Sequence, residues 1–198
     1  LPLTQQDIDT LLAQGVADAT SFSSAKFFTN DFDTRTQGID LVVNYSTMLL
    51  GAYTDFALAY NWTDTSVDRV TVYNRVGLDG VPFQETNLTE QRIRMLEDNL
   101  PAHRGTLTVK QNYGLLSALM RVNYFDDYYE DHLDAAAGLD IYAGSEVTLD
   151  LELSYQMNEH FSLSGGAKNL LDNSPDINPF VGVVGSKYPP TAPMGING

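Results

Sequence analysis

The chain has 198 residues, 43% of them hydrophobic and 11% aromatic, with no cysteine and a formal net charge of −15. That charge opposes nucleic acid and anionic lipid headgroups as partners, and the absence of cysteine excludes disulfides and thiolate metal sites. No run of about 18 apolar residues occurs, which excludes a transmembrane helix; it leaves open a membrane barrel, whose alternating strands average to near-neutral hydropathy.

Residues 1–24 read as a loop holding a short helix. Thr4 and Asp7 form a capping-box pattern, Ile8, Leu11 and Leu12 share a face, and Gly15 stands where a C-cap falls. A strand is expected over 25–47, clearest where Ile39, Leu41, Val43 and Tyr45 alternate with Asp40 and Asn44. After a break at 48–51, a strand over 52–65 sets Phe56, Leu58, Tyr60 and Trp62 against Asp55, Ala57, Ala59 and Asn61. A long connection follows, in which Ile93, Leu96 and Leu100 have helical spacing until Pro101 stops the pattern.

Strands over 103–113 and 115–126 meet at a tight turn around Gly114. The first alternates Leu107 and Val109 with Thr106, Thr108 and Lys110. The second carries Leu116, Ala118, Met120, Val122 and Tyr124 on one face and Ser117, Arg121 and Asn123 on the other. After a polar connection over 126–144 comes a hairpin with strands over 145–156 and 160–171. There Val147, Leu149, Leu151, Leu153 and Tyr155 alternate with Glu146, Thr148, Asp150, Glu152 and Ser154. Residues 172–198 are rich in Pro, Gly and Asn and read as loop.

The expected fold is therefore all-β, an antiparallel up-and-down meander of about six long strands with short helices in the long loops. Short turns near 50, 114 and 158 alternate with long connections, and strands of about 10–14 residues exceed the usual five or six of soluble sheets. A tilted membrane strand needs about 9–11 residues, and membrane barrels pair short periplasmic turns with long external loops. Two environments remain open for the apolar face. It faces lipid around a barrel, or it packs as the core of a soluble sandwich in which Phe56, Leu58, Leu149, Leu151 and Leu153 meet a second layer.

The polar faces carry Asp40, Asp55, Lys110, Arg121, Asp150, Glu152 and Lys168, which suit a solvated or lumenal surface and form no catalytic pair. Asp126, Asp127, Tyr128 and Tyr129 make the densest acidic and aromatic cluster, but the spacing of a calcium loop is missing. His103, His132 and His160 lie in separate segments without zinc-ligand spacing. Gly165-Gly166 marks a bulge or a close approach of backbones. No catalytic, cofactor or metal residue is assigned, and no enzymatic step is expected.

The segment Lys168-Asn169-Leu170-Leu171-Asp172-Asn173-Ser174-Pro175, with Tyr188-Pro189-Pro190-Thr191 and Gly195-Ile196-Asn197-Gly198 after it, resembles the C-terminal end of TonB-dependent outer-membrane receptors. Phe28-Thr29-Asn30 followed by Thr34-Arg35-Thr36-Gln37-Gly38-Ile39-Asp40-Leu41 is similar to an earlier barrel strand of that family. Asn99-Leu100-Pro101-Ala102-His103-Arg104-Gly105 is similar to the return into a later one. The resemblance implies that 1–198 is the C-terminal part of one transmembrane β-barrel domain in the bacterial outer membrane. The plug domain and the final strand would be absent from it, in a family whose barrels have about 22 strands.

The resemblance also implies the partners: the remaining strands and plug of the same receptor, outer-membrane lipid, and a TonB-type energy transducer acting through the plug. The ligand would be a small molecule or an oligosaccharide, in the range of ferric siderophore, haem, cobalamin or sugar chain. Asp40, Asp55, Lys110, Arg121, Asp150, Glu152 and Lys168 would then face the lumen. Asp126, Asp127, Tyr128 and Tyr129 would face ligand in an external loop. Two other classes remain as alternatives: a passive porin or adhesin-type barrel, and a soluble antiparallel β-protein that binds carbohydrate.

Overall fold

Alternating sequence becomes alternating faces in a sheet of long antiparallel strands. The structure, a computed structural model, describes residues 3–22, 30–77, 80–131 and 138–193. In chain order the elements are α1 (Gln5–Ala13), β1 (Phe32–Leu49), β2 (Ala52–Val70), β3 (Tyr73–Val76), β4 (Pro82–Glu85), α2 (Glu90–Glu97), β5 (His103–Tyr113), β6 (Leu116–Phe125), β7 (Tyr128–Glu130), β8 (Ile141–Ala143), β9 (Glu146–Gln156), β10 (Ser162–Ala167) and α3 (Val181–Val184). They fall into two units, one of Leu1–Arg35 with Ser66–Ile93 and one of Thr36–Thr65 with Arg94–Gly198.

The second unit holds the body of a six-stranded sheet in the order β1-β2-β5-β6-β9-β10, the expected meander. Its register puts Leu58, Leu107, Val122 and Leu149 in one cross-strand row and Phe56, Val109, Met120, Leu151 and Ala167 in the next. Between β1 and β2, Asn61 donates to Asp40 at 2.8 Å, Ser46 to Asp55 at 2.6 Å, and the Tyr45 ring stacks on Phe56. With period two, Ile39, Leu41, Val43 and Tyr45 therefore extend the same apolar face. On the other face Thr106 donates to Asn123 and Asn123 to Thr148, each at 3.0 Å, a polar row across three strands.

None of Phe56, Leu58, Leu149, Leu151 and Leu153 is buried, and Leu153 exposes 58% of its surface. The second protein layer that a sandwich requires is not present on this face among the described residues. Packing instead concentrates in the connections, where Tyr128, Tyr129, Leu139, Ile141, Ala143 and Ala192 are buried. No helix among the described residues is long and apolar enough to cross a membrane, which says nothing about strands.

The short connections are tight turns. Leu50 and Gly51 both take positive φ (53° and 78°), the geometry that joins two twisted strands through two residues. The long connections contain more than the sequence suggested, namely the hairpins β3–β4 and β7–β8 besides the helices. Their strands of three or four residues are too short for a periodic signal. The expected strand start at 25–29 lies outside the described residues.

Strand β10 ends at Ala167, well before 171, because the chain bends at Asn169, whose φ is 48°. Asn tolerates this left-handed conformation better than most residues. The Asn169 N–H then donates to the Asp150 carboxylate at 2.9 Å, and its side-chain amide donates to the Asn173 carbonyl at 2.6 Å. Gly166 fits a close approach of strands, since a Cβ there would lie 2.5 Å from the Leu151 carbonyl oxygen. A Cβ on Gly165 would meet nothing within 4 Å.

In the first unit, Thr4 caps α1 and exchanges bonds with Asp7 as its sequence pattern predicts. Arg75 of β3 donates to the Asp7 carboxylate at 2.8 Å, and its Nε lies 3.1 Å from Glu85 of β4 without hydrogen-bond geometry. Asp31 is buried and accepts from the Tyr73 hydroxyl and the Asn87 amide. Ionic and polar contacts therefore organise this unit around the β3–β4 hairpin.

Two measurements check these assignments. Gly166→Ala is expected to cost about 1–3 kcal/mol through strand displacement while Gly165→Ala is near neutral, read from denaturant midpoints of the two variants. The second concerns acid. The Thr4 backbone N–H, aided by the Thr4 hydroxyl and Arg75, outweighs burial and holds the Asp7 carboxyl below its ordinary value of 3.8. A carboxyl lowered on folding stabilises above the unfolded value and loses that contribution as pH falls through the folded one. Amide NMR shifts of α1 in an acid titration should show this loosening, and Asp7→Asn should remove it.

Candidate functional site

The sheet and its connections place two groups of residues with binding potential. On the polar face lie Asp40, Asp55, Lys110, Arg121, Asp150 and Glu152, and Lys168 follows the end of β10 by one residue. Lys110 stands opposite Asp55 and Arg121 opposite Asp150 in the register. Yet none of the seven makes an ion pair among the described residues. Arg121 donates to Thr108 at 3.2 Å, and Asp150 is engaged by Asn169. The face is polar, charged and only lightly cross-linked.

The second group is the cluster of connections around β7 and β8. Asp126 accepts from the Tyr124 hydroxyl at 2.8 Å, and Asp127 is exposed. Tyr128 and Tyr129 expose only 4% and 3% of their surface. The structure packs these two rings within the connections. The exposed ring beside them is Tyr142, at 64%. Its centroid is 5.1 Å from that of Tyr129, and its hydroxyl accepts from Arg94 at 2.5 Å while the Arg94 guanidinium sits over Tyr129. His132 lies outside the described residues.

Burial, with the nearby charges of Glu130, Asp176 and Glu146, pushes the Tyr128 hydroxyl up to about 12. That hydroxyl finds no hydrogen-bond partner among the described residues. Burial also raises Asp98, with Glu97 adding like charge. The neighbouring Asn99 donates one side-chain amide to the Tyr129 carbonyl at 3.0 Å and to the Thr191 hydroxyl at 3.3 Å. Glu130 accepts from the Thr191 N–H at 2.9 Å and from its hydroxyl. Three stretches distant in sequence are thereby tied together.

Between the β7–β8 hairpin and the 178–190 segment lies a cavity of about 200 Å³. Leu139, Ile141, Phe180 and Pro190 supply apolar walls, and Glu130, Asn178 and Ser186 supply polar ones. Asn178 is 1% exposed and holds its loop through three bonds. Its N–H donates to Lys187, its amide to the Ser186 carbonyl, and its Oδ1 accepts from the Phe180 N–H. In sequence this segment reads as plain loop. The available signal was Asn178 before Pro179, a pair that favours such a side-chain-closed turn, and Gly185, which caps α3 at φ 79°.

The family model described as TonB dependent receptor-like, beta-barrel, matches residues 3–170. This chain belongs to that family. Its members are outer-membrane receptors of Gram-negative bacteria that act in transport and not as enzymes. No curated protein and no solved structure matches the chain at a significant level. For a TonB-dependent receptor barrel, the packed connections are the part of the chain with a built interior, and the lightly cross-linked face is the part with charge to offer.

Removing the unpaired hydroxyl of Tyr128 should relieve the cost of burying it. Tyr128→Phe is expected to fold normally and to gain up to about 1 kcal/mol in stability, read as a raised thermal midpoint.

Proposed function

We propose that this chain supplies part of the wall and the external loops of an outer-membrane receptor that takes up a nutrient actively, driven by a TonB-type energy transducer. The observation that carries this reading is the apolar face, continuous over six strands and uncovered by any described residue, with the packing displaced into the long connections. Lipid is the surrounding that suits such a face. The opposite face, with Asp40, Asp55, Lys110, Arg121, Asp150, Glu152 and Lys168, would line the lumen and meet water, the plug or the passing ligand. Among the described residues no strand pairs with the outer edges of β1 and β10, and open backbone groups cannot face hydrocarbon, so further strands of the same receptor would complete the wall.

In this reading the connections over 66–101, 126–144 and 172–198 select the ligand, and the chain performs no chemical step. Ligand capture supports transport only when the transducer pulls on the plug, which separates this reading from a passive porin. The sandwich alternative finds no support in the exposure of Phe56, Leu58, Leu149, Leu151 and Leu153.

Leu151 and Glu152 are adjacent and face opposite ways, which makes them a compact test. With the receptor in outer membranes, Glu152→Cys is expected to react with a water-soluble thiol reagent and Leu151→Cys with a lipid-dissolved one. Equal labelling of both by the aqueous reagent would exclude the barrel orientation. Uptake that persists undiminished after collapse of the proton gradient would exclude the active mechanism.

A further inference from the structure

The cavity between the β7–β8 hairpin and the 178–190 segment encloses about 200 Å³, below the roughly 300–1,000 Å³ of pockets that take a whole drug-sized ligand. It has room for one short group. Leu139, Ile141, Phe180 and Pro190 give it carbon walls, and Glu130 is the acidic residue among its lining. That residue is only 8% exposed. Its Oε2 accepts from the N–H and the hydroxyl of Thr191. Both donors are neutral, so they fix the direction of the carboxylate and leave its charge uncompensated.

The other oxygen, Oε1, has no hydrogen-bond or ion-pair partner among the described residues. Unlike the Tyr128 and Ser186 hydroxyls, it is not sealed from solvent. Buried charges in folded proteins are paired, so this one calls for a cation. None of the lining residues is cationic, and Lys187 of the 178–190 segment holds its Nζ over the Tyr188 ring at 4.8 Å. The field nearby is negative: the Tyr128 hydroxyl, raised first by burial, is raised further by Glu130, Asp176 and Glu146. An anionic group would be repelled there, and an uncharged one would leave Glu130 without a counter-charge. An ammonium on a short alkyl stem meets the carboxylate and the carbon walls together, and the Phe180 ring offers it an aromatic face.

We propose that this cavity binds a primary alkylammonium group, as carried by the lysine side chain of a peptide or by a free diamine, with the nitrogen on Glu130 and the methylenes against Leu139, Ile141 and Phe180. The three bonds of Asn178 hold the loop that carries Phe180, so this wall is in place before binding. The proposal rests on the reading of these connections as ligand-selecting and gives the cavity a ligand class.

The test is calorimetric titration of the purified receptor with N-acetylated, C-amidated Gly-Lys-Gly and with 1,5-diaminopentane. The same peptide with norleucine in place of lysine is the uncharged arm. At least one amine is expected to bind about tenfold or more tightly than the norleucine peptide. Peptide binding alone marks a lysine side chain as the source, and diamine binding alone marks a free amine. Glu130→Gln keeps an acceptor for Thr191 and should weaken amine binding about ten- to a hundredfold, the range of a hydrogen bond to a charged group. A merely structural carboxylate would instead lose thermal stability on that change and leave the preference for the amine intact. Phe180→Ala should weaken amine binding about two- to fivefold.

Binding of neither amine overturns the proposal, as does equal binding of the norleucine peptide or an amine preference that Glu130→Gln leaves unchanged. Should Glu130→Gln fail to fold, the lysine–norleucine comparison on the unaltered receptor and the Phe180→Ala result decide. Energy-dependent uptake of a nutrient by a receptor that binds neither amine overturns this proposal alone. Amine binding by a receptor whose uptake needs no energy upholds the site and removes the active-uptake reading.

Discussion

Leu149, Asp150, Leu151 and Glu152 follow one another in β9, so neighbouring residues need opposite surroundings, and no rotation of the strand can satisfy them in one medium. The same demand is repeated in every long strand, and the register aligns the answers across β2, β5, β6, β9 and β10. A soluble protein meets this demand with a second layer. Among the described residues no such layer covers the apolar face, while well-packed interior exists elsewhere in the same unit. The arrangement makes sense where a sheet separates hydrocarbon from water.

Holding that separation depends on register, because a slip by one residue would exchange the two faces completely. Several residues without periodic meaning serve it. Gly38 and Gly166 permit backbones to approach where any Cβ would strike a carbonyl oxygen of the neighbouring strand, at Trp62 and Leu151. Asn169 stops the last strand by bending the chain and engaging Asp150. In the stretch from Lys168 to Asp172, the Asn is therefore a terminator with a definite geometry.

What could be read from the sequence follows the range of the interactions concerned. The faces of the sheet were legible because alternation is a property of adjacent residues, and the start of α1 was legible because Thr4 and Asp7 settle it within one turn. Membership of the family was visible in short motifs at both ends and in the middle of the chain. The cavity was not legible, since its walls come from residues up to 60 positions apart joined only in space. The burial of Tyr128 and Tyr129 was hidden for a related reason. Their acidic neighbours suggested a surface, but Tyr128 clusters with Ala143 and Ala192, and Tyr129 packs against Tyr142 of β8. Exposure of Tyr142 is the complement of that packing.

The side-chain amide of Asn99 has a consequence for where this chain can take added length. One side chain spans the stretch before β5, the β7 strand and the segment at Thr191, the last contact bridging 92 positions of sequence. Insertions that lengthen any of the three within that clamp would pull its anchor points apart. Insertions beyond it would leave the clamp untouched. Length added at the tips of these connections would therefore leave the spacing of their bases, and the sheet they join, as they stand in this chain.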